Sequence, residues 1–170
     1  MFTAFILNFI RRWTRRGNLD AGDSMDGTGP LRRIADGREW LAECRRYTDP
    51  ATVPEGRVVA TQYILVRERD DRLLGMLQLR HTLNDYLALY AGHIGYSVRP
   101  SERRRGYAKA MLALALPHAR ALGLERVMIS CAVENEGSRR TILANGGVFD
   151  STIYEPDDHE TLERYWISLS

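Results

Sequence analysis

Cysteine pairs, long apolar runs and a strong excess of one charge are all missing from this sequence. Its two cysteines, Cys44 and Cys131, lie too far apart for a CxxC motif and have no metal-ligating neighbours. We therefore expect free thiols in a reducing, cytoplasmic compartment and no metal site. The formal net charge of +2 is too small to indicate a nucleic-acid partner by itself. No internal repeat is present.

The most apolar stretch is residues 1–10, which is too short to span a bilayer. Its positive residues, beginning with Arg11 and Arg12, follow the apolar run, whereas a signal peptide carries them in front. Apolar side chains recur at helical spacing, at Phe2, Phe5, Ile6, Phe9, Ile10 and Trp13. This pattern favours an amphipathic helix docked on the domain, so no membrane partner is expected. Binding to a membrane surface is the alternative interpretation.

The length predicts one domain, 1–170, with a helical and loop N-terminal part over residues 1–50 and a core over residues 57–169. Asp36 and Asn135 are expected to cap helices. The core elements are expected in the order hairpin, strand, helix, strand, helix and hairpin, over residues 58–66 with 73–79, 91–98, 106–123, 127–133, 136–144, and 148–154 with 162–169. This order predicts an α+β (mixed α/β) fold, in which a mostly antiparallel mixed sheet has helices on both faces.

The most informative stretch joins the strand that ends at Val98 to the helix that follows Gly106. Between them lies a basic turn that contains Arg103, Arg104 and Arg105. The first N–H groups of a helix have no intrahelical partner and carry the positive end of its dipole, so an anion can bind there. A Walker loop is excluded because no Gly-Lys-Ser/Thr follows, and a dinucleotide fingerprint because its first two glycines are missing. The turn therefore predicts a phosphate-binding site.

The spacing Arg103-x-x-Gly106-x-Ala108 resembles the acyl-CoA pyrophosphate loop of the GNAT superfamily of N-acetyltransferases. The order of elements over residues 58–169 is also similar to that fold, and residues 80–86 and 93–102 resemble a bacterial subgroup of predicted acetyltransferases. The resemblance implies that the core binds acetyl-CoA as a cosubstrate. The residues implied to contact it are Tyr96, Val98, Arg103, Arg104, Arg105, Gly106, Tyr107, Ala108 and Asn135.

Three features depart from the family pattern. The family opens with a strand before its first helix, and here that strand is missing or replaced. The family's tyrosine, seven residues beyond the asparagine position, would fall at Ile142. Its frequent strand glutamate would fall near Gly92, which leaves His93 beside that place.

Acetyl transfer to an amine needs a group that accepts a proton, because roughly one part in a thousand of a lysine-like amine is neutral at pH 7. His93 is our first candidate base, since an imidazole with a pKa near 6.5 suits the working pH. Asp85, Glu134 and His81 are further candidates for the base or for binding the amine, and Tyr154 is a candidate donor of a proton to the leaving thiolate. Tyr96 is also available as a donor. Each has a plainer alternative role, as a core histidine, a turn residue or a packing tyrosine.

The resemblance implies an N-acetyltransferase that moves an acetyl group from acetyl-CoA to a small-molecule or peptide amine. A catalytically weak acyl-CoA-binding sensor is the first alternative, because it would keep the loop and tolerate Ile142. A nucleic-acid module that uses Arg139 and Arg140 beside the basic turn ranks last, because no aromatic platform interleaves these arginines. A homodimer is compatible with the sequence. The sequence does not identify the acceptor amine.

Overall fold

A computed structural model of the protein describes residues 26–32, 34 and 36–169. The helix expected from the apolar pattern of residues 2–13 lies outside the described residues. The helices are α1 (Gly37–Arg46), α2 (Tyr107–Ala121) and α3 (Glu136–Leu143). The strands are β1 (Ala60–Arg67), β2 (Arg72–Arg80), β3 (Ile94–Val98), β4 (Arg126–Ala132), β5 (Val148–Glu155) and β6 (Glu160–Ser168).

The strands form two antiparallel three-stranded sheets, with the orders β1-β2-β3 and β4-β6-β5. The predicted α+β fold with mostly antiparallel strands and several helices is confirmed. The strands form two sheets, however, and not the one mixed sheet that we expected. In the described residues the first strand is β1, which follows α1, and no strand precedes that helix. The residues before 26 lie outside the described part of the chain. Both predicted hairpins are present, with ends that differ from the prediction by one to a few residues.

Helices cover both faces of the first sheet because neighbouring residues of β2 point in opposite directions. Met76 packs with Trp40 of α1 in one apolar cluster. Leu77 packs with Leu112 of α2 in the other, larger cluster, which also includes the inner face of the second sheet. The sheet is therefore the middle layer of the domain, and α2 holds the two sheets together.

Both predicted helix caps are observed. The Oδ1 atom of Asp36 accepts hydrogen bonds from the N–H groups of Arg38 and Glu39, at 2.8 and 3.1 Å. The Oδ1 atom of Asn135 accepts from the N–H of Ser138 at 3.0 Å. Helix α2 continues through Pro117 without ending there.

The prediction of a strand over residues 91–98 was wrong in its first three residues, because a π-helical turn occupies Leu87–Ala91 and β3 begins only at Ile94. Gly92 ends the turn with φ of +67°. A Cβ atom at Gly92 would lie 2.3 Å from the carbonyl oxygen of Met128, so only glycine fits there. This close approach brings the two sheets into contact.

Candidate active site

An opening between β3 and β4, which we call the cleft, begins where the two sheets meet. The N–H of His93 donates to the carbonyl oxygen of Met128 at 2.8 Å, and Gly92 forms an isolated bridge with Ile129. Beyond that point β3 pairs with β2 and β4 pairs with β6, so the facing edges of β3 and β4 have no strand partner in the described sheets. Free backbone N–H and C=O groups at such an edge can bind an extended ligand that carries amides.

The other end of the cleft leads to residues 103–108, which we call the cradle. Gly106 is the N-cap of α2, with φ of +81°, and no side chain among the described residues caps this helix. A Cβ at Gly106 would meet nothing within 4 Å. Arg104 also adopts a left-handed conformation, with φ of +62°. Alternating left-handed residues before an uncapped helix give a concave set of N–H groups suited to an anion.

The three arginines of the cradle have different surroundings. Arg103 donates from Nε to the carbonyl oxygen of Val98 at 3.2 Å, and Arg105 donates from Nη1 to Glu102 at 3.1 Å. Arg104 is exposed and has no hydrogen-bond or ion-pair partner among the described residues. Its guanidinium is therefore the one most available to a phosphate.

Glu102 ties the cradle to the sheet, and sequence reasoning missed it. Its carboxylate is buried, accepts hydrogen bonds from Arg67 Nη1 and Arg105 Nη1, each at 3.1 Å, and forms an ion pair with Arg72 Nε at 2.9 Å. Arg67 and Arg72 are register partners in β1 and β2. Arg67 also contacts Tyr107, the first residue of α2. The only sequence sign of this role is a lone acid within a run of arginines.

The remaining residues predicted to contact the cosubstrate surround the cleft. Tyr96 and Val98 lie on β3, and Ala108 lies in the first turn of α2. Asn135 follows β4, where its exposed amide is partly used to cap α3. The structure thus brings the predicted residues of β3, the cradle and the end of β4 to one cleft.

Tyr96 spans the cleft from β3 to α3. Its hydroxyl lies 2.8 Å from the Oγ atom of Ser138. Burial raises the pKa of this phenol to about 12, although the hydrogen bond with Ser138 opposes the shift. The hydroxyl therefore stays protonated at neutral pH. It sits beside the helix that carries Ile142, which is fully buried in the core.

His93 is brought to the closed end of the cleft, but its surroundings favour a structural role. Its Nδ1 accepts a hydrogen bond from the backbone N–H of Met128 at 2.9 Å. Burial, and then the charge of Arg80, lowers the pKa of the imidazole to about 4. The ring is neutral at pH 7 with its proton on Nε2, so neither nitrogen is ready to accept a proton. These contacts argue against our first candidate base.

The other two predicted catalytic residues lie at the surface. Tyr154 is exposed on β5, with its hydroxyl 3.1 Å from His159 Nδ1. Asp85 is exposed just before the π-helical turn. Among the described residues, neither side chain forms a hydrogen bond with Tyr96 or with the cradle. Cys131 is buried, and burial raises its thiol pKa to about 11, so it is not a nucleophile at neutral pH.

A loop segment before α1 also reaches the cleft, which the sequence did not reveal. Gln62 Nε2 donates to the carbonyl oxygen of Gly27 at 2.6 Å, and a Cβ on Gly27 would lie 2.2 Å from the carbonyl oxygen of Gly95. This contact puts Asp26 next to β3. The charge of Asp26 acts on Arg80, Tyr96 and Glu160. Long-range contacts of this kind leave no periodic pattern in a Gly-rich segment.

Residues 23–148 match the model of the acetyltransferase (GNAT) domain family. The chain belongs to this family. The predicted resemblance is therefore confirmed, and the match covers the first sheet, the cradle, β4 and α3, and ends at the first residue of β5. Comparison with curated proteins gave no match.

Several solved bacterial acetyltransferases share the fold. A variant of spermidine N-acetyltransferase SpeG from Vibrio cholerae is 16% identical, with a TM-score of 0.61, over 96% of this chain and 90% of that one. Ribosomal-protein-S5-alanine acetyltransferase from Vibrio fischeri is 16% identical, with a TM-score of 0.64, over 99% of this chain and 88% of that one. At this identity the likeness establishes the fold alone. No described helix is long and apolar enough to cross a membrane.

Proposed function

We propose that this GNAT protein transfers an acetyl group from acetyl-CoA to a primary amine. The observation that carries the proposal is the uncapped start of α2 beside Arg104, at the open end of the cleft. A pyrophosphate fits such N–H groups and cations, and an amide-containing arm fits the free edges of β3 and β4. The reactive thioester would then lie along the cleft, towards the end closed by Gly92.

In the proposed reaction the amine nitrogen attacks the thioester carbonyl carbon, a C–N bond forms and the C–S bond breaks. The sulfur leaves as a thiolate and takes up one proton, while the amine loses protons to a carboxylate or to water. Because its pKa is raised to about 12, Tyr96 keeps its hydroxyl proton and can donate a hydrogen bond to the sulfur. Tyr96 on β3 would thereby take the role of donor to the leaving sulfur, which Ile142 on α3 cannot perform.

The proposed base is a carboxylate that acts directly or through water. Asp85 and Glu134 are both exposed, and Glu134 lies two residues after the end of β4. Asp26 is a third candidate because its charge acts on the Tyr96 hydroxyl. The acceptors named for the solved neighbours, spermidine and a ribosomal-protein alanine, both present a primary amine. A small-molecule or peptide amine is therefore the proposed acceptor class.

The experiment measures thiol release from acetyl-CoA in the presence of a panel of amines. We expect Tyr96→Phe to lower kcat by about 10²-fold, with little change in the KM for acetyl-CoA, because only the transition state contains a developing thiolate. Tyr154→Phe is the matched control, since it removes an exposed tyrosine hydroxyl from the same protein. A large loss in Tyr154→Phe, with none in Tyr96→Phe, would give the donor role to Tyr154.

An acyl-CoA-binding sensor is the second candidate. Two observations support it: Ile142 is buried where the family resemblance implies a tyrosine, and His93 is held by backbone. This alternative predicts that acetyl-CoA binds in calorimetry while no amine of the panel produces thiol above the rate of hydrolysis. Amine-dependent thiol release by the wild-type protein excludes it.

A further inference from the structure

Five acidic residues lie close together at the turn that joins β5 to β6. Glu155 and Glu160 are directly opposite each other in the hairpin register. The N–H of Val133 donates to the carbonyl oxygen of Thr161. This hydrogen bond brings Glu134, the next residue, alongside the start of β6. We call this set the acidic patch: Asp26, Glu134, Glu155, Asp158 and Glu160. The whole chain has a net charge of +2, so the patch opposes the overall charge.

One carboxylate of the patch lacks a partner that its burial demands. Glu155 is 2% exposed. Its Oε2 accepts from the N–H of Asp158 at 2.6 Å, but its buried Oε1 has no hydrogen-bond partner among the described residues. A buried carboxylate oxygen without a donor is unfavourable. It points to a donor that binds from outside the chain, and a cation with N–H groups satisfies both its charge and its hydrogen-bonding capacity.

Aromatic side chains adjoin the patch. Tyr86 and Tyr90 pack with their ring centroids 5.2 Å apart at the π-helical turn. Burial, followed by the charges of Glu155, Asp158 and Asp157, raises the pKa of the Tyr86 phenol, so this ring lies within the field of the patch. Tyr86 is nearly half exposed. Carboxylates together with an accessible aromatic face are the chemistry that recognises an organic ammonium ion.

The patch and the cleft share a boundary. The carbonyl oxygen of Tyr90 accepts a hydrogen bond from Ser130 Oγ on β4, which holds the turn against the closed end of the cleft. Asp26 lies at the same boundary, because the next residue, Gly27, packs on β3 at Gly95. A ligand bound at the patch is therefore continuous with the proposed position of the thioester.

We propose that the acidic patch and Tyr86 bind a second ammonium group of the acceptor, which makes the preferred acceptor a di- or polyamine. This inference rests on the proposed acetyl transfer. One amine of the acceptor loses its proton and is acetylated, while the other keeps its charge and is held by the patch. A monoamine of the same length has no group to fill this site, and a peptide acceptor would need a second ammonium group at a similar distance.

The test compares kcat/KM for 1,4-diaminobutane, spermidine, n-butylamine and an alanine-initiated neutral peptide at saturating acetyl-CoA. We expect the diamine to exceed n-butylamine by at least about tenfold, since charge-assisted bonds to the second ammonium add affinity. Glu160→Gln and Asp158→Asn should raise the KM for the diamine by about tenfold and leave n-butylamine unchanged. Glu136→Gln is the control, because Glu136 pairs with Arg140 on α3, outside the patch.

Melting temperature provides a readout that a merely structural role would not give. Glu160→Gln removes like-charge repulsion, so it should melt at the same or a higher temperature while it binds the diamine more weakly. Equal kcat/KM for the diamine and n-butylamine, or an equal loss for both in Glu160→Gln, overturns the inference and leaves acetyl transfer intact.

A binding measurement separates the inference from the proposed function. If no amine is acetylated although acetyl-CoA binds, the proposed function fails, and calorimetry with spermidine then tests the patch alone. We expect wild-type protein to bind spermidine at least about tenfold more tightly than Glu160→Gln does. No binding to wild type, or equal binding to both proteins, overturns the inference.

Discussion

His93 shows at the scale of a single residue how a sequence position can suggest one chemistry and the folded environment another. Its place before β3 made it the natural base. The fold uses it instead to satisfy the N–H of Met128, at the point where the two sheets meet. Nothing in the local sequence indicates that a backbone N–H from a strand 35 residues away would take up its Nδ1.

The first prediction concerns the stability of the protein against pH. The folded-state pKa of His93 is about 4, below its ordinary value of 6.5. The unfolded chain therefore binds this proton first as pH falls, and the contribution of His93 to stability is complete above about 6.5 and is lost towards about 4. We expect the free energy of unfolding in urea to fall across this window, and to fall less in His93→Ala.

The same variant separates structure from catalysis. His93→Ala leaves the N–H of Met128 without an acceptor, so it should lower the free energy of unfolding by about 1–3 kcal/mol. Its kcat per folded molecule should stay within about threefold of wild type. If instead wild type shows an acid limb in kcat/KM with an apparent pKa between about 6 and 7 that disappears in His93→Ala, the histidine is the base after all.

At the scale of elements, the cradle depends on a carboxylate that never touches the proposed ligand. Glu102 holds Arg105 in the cradle and Arg67 and Arg72 on two strands. The conformation of the cradle is therefore set by the first sheet as well as by α2. Hence Glu102 is a positioning residue for the left-handed turn at Arg104.

Glu102→Gln should loosen the cradle and weaken acetyl-CoA binding by about tenfold or more, since each hydrogen bond to a buried charge is worth about 1.5–3 kcal/mol. Calorimetry of acetyl-CoA binding measures the effect, and the melting temperature should fall as well. Asp70→Asn is the matched control: Asp70 also pairs with Arg67, at 2.7 Å, but it does not contact the cradle. Equal affinities in Glu102→Gln and wild type would show that the cradle keeps its shape without Glu102.

Elements with a strong local pattern were predictable from the sequence. The hairpins follow from β-rich runs around charged turns, and α1 and α3 from their caps at Asp36 and Asn135. The π-helical turn at Leu87–Ala91 was not predicted, because its apolar residues resemble the start of a strand and because its contact with β4 is long-range. The acidic patch was missed for a similar reason, since its members come from three separate parts of the chain.

At the scale of the whole molecule, the cleft joins two regions of opposite charge. The cradle is basic and lies at the start of α2, and the acidic patch lies beyond the closed end of the cleft. An anionic donor and a cationic acceptor would approach from these two regions and meet between them. Raised ionic strength should therefore weaken the binding of both substrates, and it should raise the KM for a diamine more than the KM for a monoamine.

The central claim is the acyl-CoA site, and calorimetric titration of acetyl-CoA into Gly106→Asp tests it most directly. Gly106 and Gly123 both have a positive φ, of +81° and +85°, and open space around a Cβ, so Gly123→Asp carries the same backbone strain at the far end of α2. We predict that wild type and Gly123→Asp bind acetyl-CoA, while Gly106→Asp loses at least about 2 kcal/mol because it sets a negative charge against the anion. Equal affinity in a folded Gly106→Asp, or no binding to wild type, would contradict the account.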